Sequence, residues 1–308
     1  MNNKIYKLSF PTGVHFGKKN LEETEITFGA DVLFSALALE ALRMGEEVFQ
    51  SFYESTEKGN LLFSDACPYV GKQLYIPKPF IHIEHEKSDI SSKQKKTAKK
   101  LKYLPANKIK EFYQSSLDLE QEVKILSGLG KNAKKVSVAI NGKEESEPYR
   151  IGIYYFNEEC GLYVCVRYQE QKEIELFEKL LHALSYTGIG GKKSAGLGRF
   201  TFTAEKMPNY LSDRLEGDYE IYMAMSSCMA KEDELEDVME NACFQLKKRS
   251  GFSETICGET RNIRKKDLFL FSSGSCFEKK FSGDIFDVSR NGMHPVYRYA
   301  KTMLIGVK

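Results

Sequence analysis

A glycine-rich, cationic segment is the feature of this sequence best suited to chemistry. The stretch GIGGKKSAGLGRF places five of the chain's 23 glycines within the eleven residues 188–198, where average composition would give about one. Glycines at this density let backbone N–H groups converge, and adjacent Lys and Arg side chains add positive charge that suits phosphate oxygens. The segment predicts an anion-binding loop made by Gly188, Gly190, Gly191, Lys192, Lys193, Ser194, Gly196, Gly198 and Arg199.

Two common phosphate-binding motifs do not fit this loop. In a P-loop, the Gly-Lys pair is followed by Ser or Thr, but Lys193 follows Gly191-Lys192 and Tyr186 stands at the position of the first glycine. A dinucleotide fingerprint lies after a strand and before a helix, whereas this loop is predicted after a helix and before a strand. A flexible turn without a ligand is the alternative interpretation.

Lysine clusters offer further contacts for an anionic partner. Residues 90–110 contain eight lysines and no acidic residue, so this tract either follows phosphates or stays solvated. A second cluster lies at the base of a predicted hairpin. The lysines singled out are Lys95, Lys96, Lys99, Lys100, Lys131, Lys134 and Lys135.

Composition excludes several other classes of protein. The net charge of +2 does not by itself indicate a polyanionic partner. Seven cysteines without a C-x-x-C motif, a polar start and no long apolar run favour a cytoplasmic protein without membrane spans. His82 and His85 lie three apart, but no further cluster completes a zinc site, so we expect no metal and no cofactor.

The elements that would position the loop follow an alternating order. A period-two strand at 4–10 precedes a leucine-rich helix that begins near Asp31, and a helix at 174–186 precedes the loop and a strand at 197–205. Between the helices, residues 64–110 look irregular and proline-rich. They precede a hairpin, with strands at 134–140 and 149–156 and Asn141-Gly142 as its turn, and a strand at 161–168.

This order predicts an α+β protein built from ferredoxin-like (RRM-like) β-α-β-β-α-β domains. The first domain spans 1–206, with a large insertion at about 64–110 and a thumb-like β-hairpin. The second spans 207–308, and Pro208 marks 207–217 as a linker. RRM-like sheets with a cationic loop commonly bind single-stranded RNA.

The glycine-rich segment resembles the hallmark loop of the RAMP superfamily of CRISPR systems. Three further segments, PTGVHFG, ADVLFSALALEAL and HPVYRYAKTMLIGV, narrow the resemblance to the fourth subunit of type III-A (Csm) effector complexes. The resemblance implies a non-catalytic subunit that holds the five-prime handle of a CRISPR RNA (crRNA). It also implies two protein partners, the Cas10-type large subunit and the backbone RAMP subunit.

Two residues have alternative roles under this resemblance. His15 contacts RNA, serves as the base of a metal-independent endoribonuclease that processes repeat RNA, or is a structural histidine. Arg298 lies between Tyr297 and Tyr299, where it stacks on bases, binds phosphate or fixes the last strand at the domain interface. The resemblance also implies that the related backbone RAMP subunit cleaves target RNA through an aspartate. No equivalent of that aspartate is identified in this sequence.

Overall fold

An antiparallel sheet forms the centre of the protein. The computed structural model describes residues 1–18, 20–81, 100–139, 147–252, 264–290 and 294–308. The strands are β1 (Asn2–Ser9), β2 (Phe16–Gly17), β3 (Thr24–Glu25), β4 (Leu61–Phe63), β5 (Cys67–Val70), β6 (Gln73–Pro77), β7 (Tyr103–Pro105), β8 (Gly130–Ala139), β9 (Glu147–Phe156), β10 (Cys160–Tyr168), β11 (Thr201–Lys206), β12 (Tyr222–Ala224), β13 (Leu246–Arg249), β14 (Leu268–Phe271), β15 (Cys276–Phe277), β16 (Gly283–Asp287), β17 (Tyr297–Lys301) and β18 (Leu304–Gly306). The central sheet has the order β11-β1-β10-β5-β6-β7, and β4 also pairs with β10.

Seven α-helices lie within the described residues. They are α1 (Ala30–Met44), α2 (Glu46–Glu57), α3 (Ile109–Tyr113), α4 (Leu119–Ser127), α5 (Gln171–Thr187), α6 (Asn209–Glu216) and α7 (Glu232–Met239). The sequence predictions of α1 and α5 are confirmed. Short 3-10 turns cover Ala106–Lys108 and Lys193–Ala195.

Both faces of the central strands are buried. On β1, Tyr6 and Leu8 pack with α1 and α5, whereas Ile5 packs in a second cluster with Met223 and Ile305 from the C-terminal part of the chain. Alternate residues of a strand point to opposite faces, so one sheet supports two cores. The open sheet face that an RRM presents to RNA is therefore covered here.

The proline-rich segment after α2 is more regular than the sequence predicts. The prediction of irregular structure from residue 64 is wrong, because β5, β6 and β7 extend the central sheet. Pro68 lies opposite Leu162, and Pro105 lies opposite Tyr75. Proline lacks only one backbone donor and keeps its carbonyl. Pro105 lies on the edge strand β7, and Pro68 is paired on the β10 side only, because the pairing of β5 with β6 begins at Tyr69.

The C-terminal part starts with a helix instead of the predicted linker. Residues 209–216 form α6, whose Leu211 and Leu215 are buried in the second cluster. Pro208 immediately precedes the helix, a place where its missing N–H costs little. Beyond α6 lie a three-stranded sheet of order β15-β12-β18 and two-stranded sheets β13-β14 and β16-β17.

The predicted hairpin is present as β8 and β9, which pair along their whole described length. Its base is attached to the segment after β1. Val14 and Tyr154 exchange two backbone hydrogen bonds of 2.8 and 2.9 Å, and the Gly152 N–H donates to the carbonyl of Leu21 at 2.9 Å. The hairpin's position therefore depends on residues 14–21. The Asn141-Gly142 turn lies outside the described residues.

Candidate functional site

The glycine-rich loop joins α5 to β11 in a left-handed backbone conformation. Four of its glycines have positive φ: Gly188 at 84°, Gly190 at 97°, Gly196 at 81° and Gly198 at 79°. Lys192 also has a positive φ, 59°. L-residues with a Cβ avoid this region, and glycine enters it without steric cost. The high glycine content of this loop is therefore explained first by its backbone path.

Close packing is the second reason for the glycines. A Cβ on Gly198 would lie 2.1 Å from the carbonyl oxygen of Ile189, and one on Gly190 would lie 2.7 Å from that of His15. Gly191 is similarly close to the imidazole of His15. The loop folds back on itself and against the segment after β1, which leaves no room for side chains at these positions.

Most of the glycine N–H groups donate within the protein, which corrects the predicted mode of anion binding. Gly188 donates to Leu184, Gly191 to His15 and Gly198 to Gly13, with distances of 2.7, 2.8 and 3.0 Å to the carbonyl oxygens. Gly196 closes the 3-10 turn. Because these amides are occupied, and Gly188 and Gly198 are buried, they cannot donate to a phosphate. These glycines shape the loop instead.

The cationic side chains of the loop remain at its surface. Arg199 and Ser194 are exposed, and Lys192 and Lys193 are half-buried. The ammonium of Lys192 lies 5.0 Å from the centre of the Tyr149 ring on β9, within the range of a cation–π interaction. Lys192 thus links the loop to the hairpin, an arrangement the sequence did not indicate.

His15 is packed under the loop. Its imidazole is only 5% exposed, and Nδ1 lies 2.7 Å from the carbonyl oxygen of Gly152. A carbonyl only accepts hydrogen bonds, so Nδ1 carries a proton and donates it to Gly152. The backbone carbonyl of His15 receives the Gly191 N–H. His15 therefore connects the loop to the hairpin base.

A groove with a volume of about 1210 Å³ runs beside the loop. One wall is formed by His15 and residues 188–191 and 193, and another by the apolar face of α1 together with Glu46, Phe49 and Gln50 at the start of α2. The remaining wall comes from the C-terminal part and includes Phe252, which is 62% exposed, and Tyr297. The groove thus combines positive charge from Lys193 with aromatic and aliphatic surface, a combination that suits single-stranded nucleic acid.

The predicted hairpin lysines lie apart from the groove lining. Lys131, Lys134 and Lys135 are exposed on β8. Lys134 forms an ion pair with Glu22 at 2.7 Å, and this hydrogen bond lowers the pKa of Glu22. Lys100 is also exposed, whereas the other three lysines singled out in the same tract lie outside the described residues. These three are Lys95, Lys96 and Lys99.

Arg298 is a structural residue, which corrects its prediction as an RNA contact. Arg298 is only 7% exposed. Its guanidinium donates to the Oδ2 of Asp31 at 2.7 Å and to the carbonyl of Ser250 at 3.4 Å. Arg249 donates to the other oxygen of Asp31 at 2.5 Å. Both guanidinium groups pair with Asp31 inside the fold, so Arg298 cannot reach a phosphate.

Asp31 and Asp65 join α1 to the C-terminal part of the chain. Burial opposes ionisation of Asp31, but Arg249 and Arg298 outweigh it and hold the pKa of Asp31 below its ordinary value. Asp65 accepts from the Ala30 N–H at the start of α1 and from both the N–H and the hydroxyl of Ser227, at 2.7–2.8 Å. Because the partners are distant in sequence, no local pattern could reveal this cluster.

The described residues contain no group of three or more His, Cys, Asp or Glu side chains that could hold a metal ion. His82 and His85 lie outside them. Within the same residues, no helix has both the length and the apolar character needed to cross a membrane.

Comparison with protein families defines the class. A model of the RAMP superfamily matches residues 14–201, a range that includes the hairpin and the glycine-rich loop. A model described as the CRISPR Csm4 C-terminal domain matches residues 217–307. The chain belongs to the Csm4 family of the RAMP superfamily, which confirms the resemblance found in the sequence.

Two relatives support this assignment along the whole chain. The CRISPR system Cms protein Csm4 of Mycobacterium tuberculosis (strain CDC 1551 / Oshkosh) is 35% identical over 308 residues, covering 100% of this chain and 98% of that protein. The protein of the same name from Streptococcus thermophilus is 31% identical over 311 residues, with 98% of each chain covered.

Solved structures share the fold. A chain of a Csm3-Csm4 subcomplex from a type III-A CRISPR-Cas interference complex superimposes with a TM-score of 0.66 at 17% identity, covering 99% of both chains. A chain of a Csm1-Csm4 cassette with AMPPNP gives a TM-score of 0.61 at 18% identity and covers 99% of this chain and 98% of that one.

Proposed function

We propose that this chain is a non-catalytic crRNA-binding subunit of a type III-A CRISPR-Cas interference complex, acting in antiviral defence. In this role it holds the five-prime handle of the crRNA. The observation that carries the proposal is the groove beside the glycine-rich loop, where cationic side chains meet an aromatic and aliphatic wall.

The chemistry of the groove supports binding of a single strand. Lys193 lines the groove, and Lys192 and Arg199 lie in the same loop beside it. These three side chains supply positive charge for phosphates, and release of counterions from the RNA favours such contacts. Phe252 and Tyr297 offer surfaces against which unstacked bases pack. Phosphates thus provide affinity, and bases held in the groove provide recognition of the handle.

The proposed partners follow from the relatives. Solved structures that share this fold contain Csm4 together with Csm3 or with Csm1. We infer that this chain likewise bridges a Cas10-type large subunit and a backbone RAMP subunit.

The strand order supports a ferredoxin-like first domain. We count β1, β4, β10 and β11 as the four strands of a β-α-β-β-α-β unit, and β5 follows β4 in pairing with a further part of β10. The sheet order is then last-first-third-second. Helices α1 and α5 occupy the two helical positions between them. In the C-terminal part, β12 lies between β15 and β18, which is compatible with a smaller sheet of the same type.

A scaffold role fits His15 better than a nuclease role does. A general base has to come within hydrogen-bond distance of the ribose hydroxyl it deprotonates. The 5% exposure of His15 and its hydrogen bond to Gly152 favour a structural histidine that holds the loop and the hairpin together.

Ultraviolet crosslinking of the purified chain to crRNA, followed by mapping of the crosslinked peptides, tests the proposal. We expect crosslinks in residues 188–199 and in the groove wall around Phe252 and Tyr297. A variant with Lys192, Lys193 and Arg199 changed to Ala should lose most of this crosslinking.

The matched control removes the same charge from exposed lysines outside the groove lining, by changing Lys72, Lys172 and Lys279 to Ala. Equal crosslinking of the two triple variants, or crosslinks confined to other surfaces, would overturn the placement of RNA in the groove.

A further inference from the structure

A second cavity, with a volume of about 690 Å³, lies between the end of α2, the end of β10 and the C-terminal part. It shares no lining residue with the groove. Four of its lining side chains are cationic and one is acidic. They are Lys58, Arg167, Lys280 and Lys301, and the acid is Glu216.

Lys301 is the most unusual of these side chains. The residue is only 4% exposed, and its ammonium donates to the carbonyl oxygen of Gly283 at 3.4 Å. Among the described residues, no carboxylate lies within ion-pair distance of the Lys301 ammonium. The carboxylates of Asp284, Glu57 and Glu234 raise its pKa from a greater distance. Burial lowers the pKa of Lys301. Buried ammonium groups are normally paired, because an unpaired charge loses its hydration.

Arg167 lines another wall of the cavity and is partly buried. Its Nε donates to the Oδ1 of Asn3 at 3.1 Å, and the Asn3 amide donates in turn to Glu216 at 3.0 Å. No carboxylate lies within ion-pair distance of Arg167 among the described residues. Burial lowers the pKa of Arg167, but arginine keeps its proton in proteins. Its charge faces the cavity without a direct anionic partner.

We propose that this cavity is a binding site for a small anion that carries a phosphate group. A phosphate placed between Lys301 and Arg167 accepts charge-assisted hydrogen bonds from both, which offsets the cost of burying them. Lys280 and Lys58 also line the cavity, but each is about half exposed and pairs with a carboxylate, Asp218 at 3.1 Å and Glu54 at 2.7 Å, so the site depends on Lys301 and Arg167. The volume falls within the range of small-molecule sites.

The phosphate can come from two sources, inorganic phosphate or a mononucleotide. Both present the same oxygens to Lys301 and Arg167. Comparing inorganic phosphate, AMP and adenosine separates them. Binding of both phosphate compounds, without adenosine, supports recognition of the phosphate group. Binding of adenosine as tightly as AMP would show that the base is recognised and would overturn the proposal.

Isothermal titration calorimetry of the full chain with inorganic phosphate, in chloride buffer of constant ionic strength, tests the site directly. We expect saturable binding at one site, weakened at least tenfold by Lys301→Met and by Arg167→Gln. The matched control Lys279→Gln changes an exposed lysine outside the cavity and should bind phosphate as the wild type does.

The groove variant with Lys192, Lys193 and Arg199 changed to Ala should also keep phosphate binding, so this test is independent of RNA binding. If Lys301→Met fails to fold, Arg167→Gln alone decides. Absence of saturable binding to the wild type, or unchanged binding in folded Arg167→Gln, would overturn the proposal.

Discussion

Changing Asp31 to Asn should destabilise the protein strongly. Asn has the same shape but no charge, so Arg298 and Arg249 would lose the anion to which both donate. Removing one partner of a buried ion pair costs about 3–5 kcal/mol. Since domains are stable by only about 5–15 kcal/mol, we expect a large fall in the urea midpoint, measured by circular dichroism.

The matched control is Asp237→Asn. The Asp237 side chain is 74% exposed and pairs with Lys279 at 2.9 Å. Exposed ion pairs contribute about 0–1 kcal/mol, so this variant should unfold close to the wild type. If Asp31→Asn costs less than about 1 kcal/mol, the assignment of Asp31 as the link between α1 and the C-terminal part is wrong.

We also expect the stability difference between the wild type and Asp31→Asn to depend on pH. Arg249 and Arg298 overcome the effect of burial and hold the pKa of Asp31 in the folded protein below its ordinary value, about 3.9 in an unfolded chain. Its stabilising contribution is therefore fully present above that pH and is lost as the pH falls through the lower folded-state value. The difference in unfolding free energy between wild type and Asp31→Asn should shrink below roughly pH 4.

Three further predictions concern the loop and its supports. Gly198→Ala should destabilise the protein more than Gly196→Ala in a thermal melt, because both have positive φ but only Gly198 has a carbonyl in the path of a Cβ; equal melting temperatures would refute the steric explanation. Asp65→Ala should cost about 2–4 kcal/mol in urea unfolding, because it removes three hydrogen bonds at a buried site; a change under 0.5 kcal/mol would contradict this role. Repeat RNA should stay intact in EDTA with both wild type and His15→Ala, whereas cleavage that depends on His15 would establish the endoribonuclease alternative.

Local sequence patterns predicted the elements that depend on near neighbours. The leucine spacing after Asp31 gave α1, and alternation gave β1 and the hairpin strands. The glycine-rich segment was recognised as a loop between α5 and β11. The availability of its amides was misjudged. Gly188 and Gly196 donate to carbonyls within four residues, whereas Gly191 and Gly198 donate to the carbonyls of His15 and Gly13, which are far away in sequence. Glycine density indicates a backbone path, and only the fold shows which N–H groups stay available.

Errors arose where long-range packing decides the outcome. Arg298 between two tyrosines has the composition of a nucleic-acid contact, but its partner Asp31 is 267 positions away. Pro208 indicates an interruption, and burial of Leu211 and Leu215 against the second cluster stabilises a helix directly after it. In both cases contacts with residues distant in sequence determine the structure, and a local sequence pattern contains no information about those contacts.

The salt dependence of crRNA binding tests the central claim most directly. Each phosphate contact on a single strand contributes about −0.7 to the slope of log K against log salt. If Lys192, Lys193 and Arg199 each contact a phosphate, their triple Ala variant should bind more weakly and with a slope less steep by about 2. The triple variant of Lys72, Lys172 and Lys279 should keep the wild-type slope. An unchanged slope and affinity in the loop variant would contradict the placement of crRNA beside the glycine-rich loop.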